Sequence, residues 1–118
     1  MKNSPDMVAL ALDLLSPMKG VTAKSMFGGH GIFKNSMMFA LIADDVLYLK
    51  VDDKNRARFE EEELGPFVYS GGKKPMTMSY YEAPAEAMED SPLLCDWAKG
   101  AFDAAKRAAA KKKPKKKR

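Results

Sequence analysis

The 118-residue sequence holds one cysteine, one histidine and one tryptophan. A single cysteine, Cys95, excludes an intramolecular disulfide and fits a reducing compartment. A single histidine, His30, excludes a His-rich metal cluster. No apolar run nears the roughly 18 residues that a membrane span requires, so no membrane association is expected. The first six residues, Met-Lys-Asn-Ser-Pro-Asp, carry charge and Pro5 ahead of any apolar stretch and do not read as a signal peptide. A cytoplasmic location is the expectation. What is present is an ordinary globular composition, 46% hydrophobic, enough for one domain with its own core.

The charge is unevenly placed. Seven of the 20 basic residues fall in positions 111–118, which hold no acidic residue. The remaining 13 face 16 acidic residues across positions 1–110, a net charge of −3. The chain therefore divides into a folded domain over 1–110 and a disordered lysine-rich tail over 111–118. The tail, not the body, is the expected polyanion contact. Lys111, Lys112, Lys113, Lys115, Lys116, Lys117 and Arg118 are the candidate phosphate-binding residues for non-specific DNA or RNA.

Helix signals stand at both ends. Ser4-Pro5 starts a helix over about 5–15, with Met7, Ala11, Leu14 and Met18 at helical spacing and Pro17 ending it. Ser91-Pro92 repeats the start signal ahead of Leu93, Leu94, Trp97, Ala101, Phe102 and Ala105, which predicts a helix over 92–109. Between them, residues 22–51 read as an antiparallel meander with turns at Lys34-Asn35-Ser36 and Ala43-Asp44-Asp45. Met37 to Ile42 is nearly all apolar, the pattern of a strand buried on both faces. Leu47, Leu49 and Val51 share one face of the next strand and Lys50 the other. Asp52 or Asp53 is expected to cap a polar helix over 53–63, anchored by Phe59 and supported by the pairs Arg56–Glu60 and Arg58–Glu62. Gly65-Pro66 stops it. Short strands follow at Phe67–Tyr69 and Met76–Tyr81, then one helical turn at Pro84–Met88. Tyr80 and Tyr81 fall on opposite faces, so one of them should be exposed. The order predicts an α+β fold.

No catalytic constellation emerges, and neither enzymatic activity, a metal nor a cofactor is expected. Asp44-Asp45, Asp52-Asp53 and Glu60 to Glu63 sit at turns, a cap and a polar helix, where solvation explains them. Cys95, between Leu94 and Trp97, reads as a small buried hydrophobe rather than a nucleophile paired with His30. The cluster Gly28-Gly29-His30-Gly31 lacks the Lys-Ser/Thr of a phosphate loop and precedes a strand, so its glycines read as structural, supplying a positive φ or allowing close backbone approach. The alternative is an anion or nucleotide site formed by this loop with Lys24 or Lys73-Lys74. The nine methionines, Met37, Met38, Met76 and Met78 among them on strands, read as core or interface, which leaves a homodimer open.

The stretch Ser25-Met26-Phe27-Gly28-Gly29-His30-Gly31-Ile32-Phe33 resembles the N-terminal domain of the TfoX/Sxy family, bacterial regulators of natural competence. The resemblance continues through Met38 to Asp44, Leu47 to Asp52, Arg58-Phe59, Pro66-Phe67, Tyr69, Met78 to Tyr81 with Pro84, and Trp97-Ala98, covering about residues 7–107. It implies a single compact α+β domain whose curved antiparallel sheet is packed by the N-terminal and C-terminal helices. It marks Met26, Phe27, Gly28, Gly29 and Gly31 as structural family residues. It implies a transcriptional coactivator whose partner resembles the cAMP receptor protein. Full-length members carry a second, helical domain where this sequence has KKKPKKKR, and often a basic residue where this sequence has Ser25. The resulting expectation is a regulatory or adaptor module that contacts a transcription factor through its body and nucleic acid through its tail.

Overall fold

Two-residue turns fold the middle of the chain. Asn35 and Ser36 take φ of 52° and 66°, and Asp44 and Asp45 take 55° and 61°. Tight hairpins need two successive residues in this left-handed region, because only then does the turn twist with its strands. Asn and Asp tolerate it better than most residues. The computed structural model describes residues 5–26, 28–69 and 75–112. These turns join β2 (Gly29–Lys34), β3 (Met37–Ala43) and β4 (Val46–Lys50), and β1 (Val21–Met26) precedes them. The hairpin of β5 (Pro66–Tyr69) and β6 (Met76–Glu82) completes one open sheet of order β1-β2-β3-β4-β6-β5, antiparallel throughout.

Three helices accompany the sheet: α1 (Pro5–Leu14), α2 (Arg56–Glu61) and α3 (Ser91–Lys112). Short 3-10 turns lie at Ser16–Met18 and Ala85–Glu89. The main core lies between the helices and one face of the sheet. Ala11 and Leu15 meet Leu94, Trp97, Ala98, Ala101 and Phe102, over Ile32, Ala40, Ile42, Leu47, Leu49 and Val51. Phe59 from α2 fills the end of this core, edge-on to Trp97 at 4.9 Å and to Tyr81 at 5.8 Å.

Strand β3 explains its own all-apolar sequence. Ile32 pairs with Ala40 and Phe33 with Met38, so Phe39 is an extra residue in a bulge. The bulge turns both Phe39 and Ala40 toward the helices, where Phe39 meets Phe102 edge-on at 5.9 Å. Met38, Leu41 and Ala43 point the other way.

Several expectations change. Helix α2 is shorter than 53–63, and Asn55, not Asp52 or Asp53, precedes its first residue without a side-chain cap. Arg56 pairs with Asp53 at 3.0 Å and Arg58 with Asp96 at 2.6 Å, instead of with Glu60 and Glu62. Arg58 also lies 4.0 Å from the Trp97 ring centre, so stacking on α3 outcompetes a solvated partner on its own helix. At the start of α3, the Asp90 carboxylate accepts the Leu93 N–H, while the Ser91 hydroxyl donates to the Leu14 carbonyl at 2.6 Å. Tyr81 is half-buried against Phe59 and Tyr80 is only 7% exposed, so neither tyrosine is exposed. Helix α3 runs past position 110 through Lys112.

Candidate functional site: a bare sheet face and a basic helix end

The conspicuous Gly-Gly-His-Gly segment is a hairpin. Gly28 has φ 75° in the turn after β1, and Gly29 to Gly31 are the first residues of β2. Of the two structural reasons expected, close approach rather than a positive φ applies at Gly29. It needs space: a Cβ there would stand 2.4 Å from the Ile42 carbonyl oxygen. A Cβ on Gly31 would stand 2.6 Å from the Met26 sulfur and 3.0 Å from the Met38 sulfur. Gly31 pairs with Lys24 on one side and Leu41 on the other, and Gly29 pairs with Met26, unlike a loop whose amides wait for a phosphate. Met26 covers Gly31, and Phe27 lies outside the described residues. Lys73 and Lys74 also lie outside them.

The face of the sheet turned away from the helices holds a second apolar cluster built from strand residues. Leu41, Ala43 and Tyr80 are buried there among Met38, Tyr48, Phe67 and Met78. Strand alternation puts them there, since their chain neighbours Ala40, Ile42, Leu47, Leu49 and Tyr81 serve the main core. Tyr48 and Phe67 stack at 5.0 Å with rings tilted by 53°. The Tyr80 hydroxyl donates to the Met38 carbonyl at 3.3 Å, and burial pushes its pKa up to about 12. Burial also raises the Tyr48 pKa, helped by the negative charges of Glu82 and Asp44. Two lysines border the cluster: Lys24 lies 5.9 Å from the Phe33 ring centre and Lys50 lies 5.1 Å from that of Tyr80. An open depression of about 390 Å³ beside Lys24 is lined by Thr22, Phe33, Asn35 and Ser36.

The basic end of α3 is tied to the body by one ion pair. Arg107 grips Asp52 with two bonds, Nε to Oδ2 at 2.6 Å and a terminal nitrogen to Oδ1 at 2.9 Å. The Lys54 N–H also reaches Asp52 Oδ1, and Asn55 accepts the Asp52 N–H at 2.8 Å. The Arg107 bond is the main reason that the Asp52 carboxyl falls to about 2. Beyond this clamp Lys111 and Lys112 continue the helix. Lys113, Lys115, Lys116, Lys117 and Arg118 lie outside the described residues, as does the expected disorder there. Cys95 sits on the α1 side of α3, half-buried rather than buried as expected, with its sulfur 3.4 Å from the Leu14 carbonyl. His30 is in β2, opposite Ser25 and Ile42.

Sequence reasoning named the tail and the glycines but missed the Asp52–Arg107 clamp and the Tyr48–Phe67 pair. The first joins residues 55 positions apart, a separation without local signal. The second was available in part, from the alternation of Tyr48 and Lys50 against Leu47 and Leu49. Among the described residues, no group of three or more His, Cys, Asp or Glu side chains could hold a metal ion. Among the same residues, no helix is long and apolar enough to cross a membrane.

The profile of the TfoX N-terminal domain matches residues 13–105. The DNA transformation protein TfoX1 of Aliivibrio fischeri (strain ATCC 700601 / ES114) is 35% identical over 69 residues, which cover 58% of this chain and 32% of that relative. The match thus spans about a third of the relative's length. With the profile covering the sheet, α2 and most of α3, the chain belongs to the TfoX N-terminal domain family.

Proposed function

We propose that this domain is a non-enzymatic regulatory module of DNA transformation, an adaptor whose body engages a cytoplasmic transcription factor of the cAMP-receptor-protein kind. Its basic C-terminal segment, Lys111 to Arg118 without Pro114, holds nucleic acid without sequence preference. The observation that carries this reading is the division of charge along one helix. A body of net charge −3 fixes α3 through Asp52 and Arg107, and the run of seven cations starts at the helix end. A polyanion is attracted to such a segment, whereas the acidic body offers it no general attraction. The DNA transformation relative supports the process, and its name extends no further than that.

The test is fluorescence anisotropy with unrelated DNA duplexes, using the full chain and a full-length variant with the seven tail cations changed to Gln. Binding by the native chain should fall with salt at a log–log slope no steeper than about −6, at roughly −0.9 per phosphate neutralised. The variant should lose that binding. Equal binding by both proteins, or none by either at low salt, overturns the tail assignment. Saturable binding of a purified transcription factor of this kind by both proteins is expected of the body, and its absence overturns the adaptor role.

A further inference from the structure

Among the described residues no helix covers this sheet face, and the face carries its own complement. Register across the sheet places Lys24 opposite Gly31, Gly31 opposite Leu41, Leu41 opposite Tyr48 and Tyr48 opposite Glu82. These five side-chain positions form one row on the bare face, with β3 at its middle. Lys24 stands two strands to one side of Leu41 and Glu82 two strands to the other. Both are exposed, and neither has an ion-pair partner among the described residues.

We propose that this face is the interface of a homodimer in which two sheets pack face to face about a twofold axis parallel to β3. Such an axis exchanges β1 with β6 and β2 with β4, and lays β3 on the β3 of the second copy. Lys24 then meets Glu82 of the other copy, and Glu82 meets its Lys24, about 10 Å from the axis at two strand spacings. Leu41 faces Leu41, and Tyr48 faces the position of Gly31, over which the Met26 and Met38 side chains lie. In the next row Phe33 pairs with Met38 and Lys50 with Tyr80. The same rotation sets Lys50 over Phe33 of the second copy, a cation over a ring. No like charges oppose each other in either row. Met38 and Met26 can adapt their unbranched side chains to the apposed surface.

The occupant follows from this arrangement. A partner that met Lys24 alone would need an acid there and a base opposite Glu82 at the far side of the sheet. A second copy of this chain supplies both in register. The five strands that overlap, at about 4.8 Å spacing and about six residues each, give a flat footprint of roughly 500 Å² per copy before side-chain relief is added. That is the low end for specific association, so the dimer is reversible and depends on concentration. Aligned sheets pack about 10 Å apart with strands within about 30°, an offset that the long lysine stem absorbs. Pairing two bodies also pairs two basic tails, which raises their combined hold on a polyanion. The dimer itself does not depend on the tail reading.

Sedimentation velocity of the full chain, from micromolar to near-millimolar concentration, tests it. The native chain should pass from monomer to dimer. Glu82→Lys and Lys24→Glu should each weaken the dimer by about tenfold or more, because each replaces two attractions with two repulsions. The double variant Lys24→Glu/Glu82→Lys should restore it. Both positions are exposed, and circular dichroism checks that each variant is folded. A monomer at every concentration overturns the proposal and gives the face to a different partner. A dimer indifferent to the single reversals overturns the interface. Failure of the double variant to recover overturns the register. A monomer that still binds duplexes through its tail leaves the adaptor reading standing.

Discussion

The two faces of one sheet are made by the same strands, alternate residues going to each, yet they are finished differently. Toward the helices, Phe39, Ile42 and Leu49 are sealed by α1, α2 and α3, with Phe59 of α2 among the sealing side chains. On the other side, Leu41 and Tyr80 are buried among neighbouring strand side chains such as Met38, Tyr48 and Phe67. The first face obtains its free energy within the chain, from apolar surface fully removed from water. The second is half-finished, because Tyr48, Phe67 and the methionines keep part of their surface in solvent. The contrast teaches where stability and recognition separate: substitutions on the helix side should act on folding, and those on the bare side on association.

The largest expected effect lies on the helix side. Phe59→Ala removes a ring that is 1% exposed and touches both Trp97 and Tyr81, and should cost about 3–5 kcal/mol in denaturant unfolding. A loss below that of any bare-face aromatic would break the comparison. Next comes Gly29→Ala, whose methyl meets a backbone carbonyl that cannot step aside, and about 1–3 kcal/mol of overpacking is expected. Gly29 pairs with Met26 in the sheet and stands against the Ile42 carbonyl, so unchanged thermal stability would contradict the close approach.

Arg107→Gln tests the clamp between α3 and the body at about 1 kcal/mol. That figure allows for solvent screening of side chains that are 36% and 26% exposed. The sign with pH follows from the lowered Asp52 value. Folded near 2 and unfolded near about 3.9, the carboxylate stabilises the native state above about pH 4, and that contribution is lost as pH falls toward 2. The variant should therefore show a flatter dependence over this window in urea midpoints, and an unchanged slope would remove Asp52 from the account. The smallest effect is expected from Phe67→Leu, which gives up one tilted ring pair for about 0.5–1 kcal/mol while shifting the association constant. A stability loss equal to that of Phe59→Ala would mean that the bare face is core after all.

The sequence was most legible where the physics is local. Turn residues at Asn35-Ser36 and Asp44-Asp45, the alternation of Leu47 and Leu49 with Tyr48 and Lys50, and the apolar stripe of α3 each predicted the element found. It was least legible where distant groups competed for one partner. Arg58 had Glu62 within one turn and took Asp96 and Trp97 instead, because stacking on an adjacent helix adds contact that a solvated pair lacks. Ser91 looked like a cap and became a bridge to Leu14, leaving the capping to Asp90. Tyr80 and Tyr81 lie on opposite faces as expected, but the face away from the helices buries Tyr80 more completely than the covered face buries Tyr81.

By itself the sequence determined the α+β order, the division of charge between body and tail, and the requirement for glycine at the β1–β2 hairpin. Those depend on period, composition and steric size, which a linear chain already contains. Only the tertiary structure decided that Gly29 is needed for the Ile42 carbonyl rather than for a positive φ. It alone clamped Arg107 to Asp52 and aligned Lys24, Leu41, Tyr48 and Glu82 in one row. Strand order and register set these distances, and both arise from pairing between segments far apart in the chain.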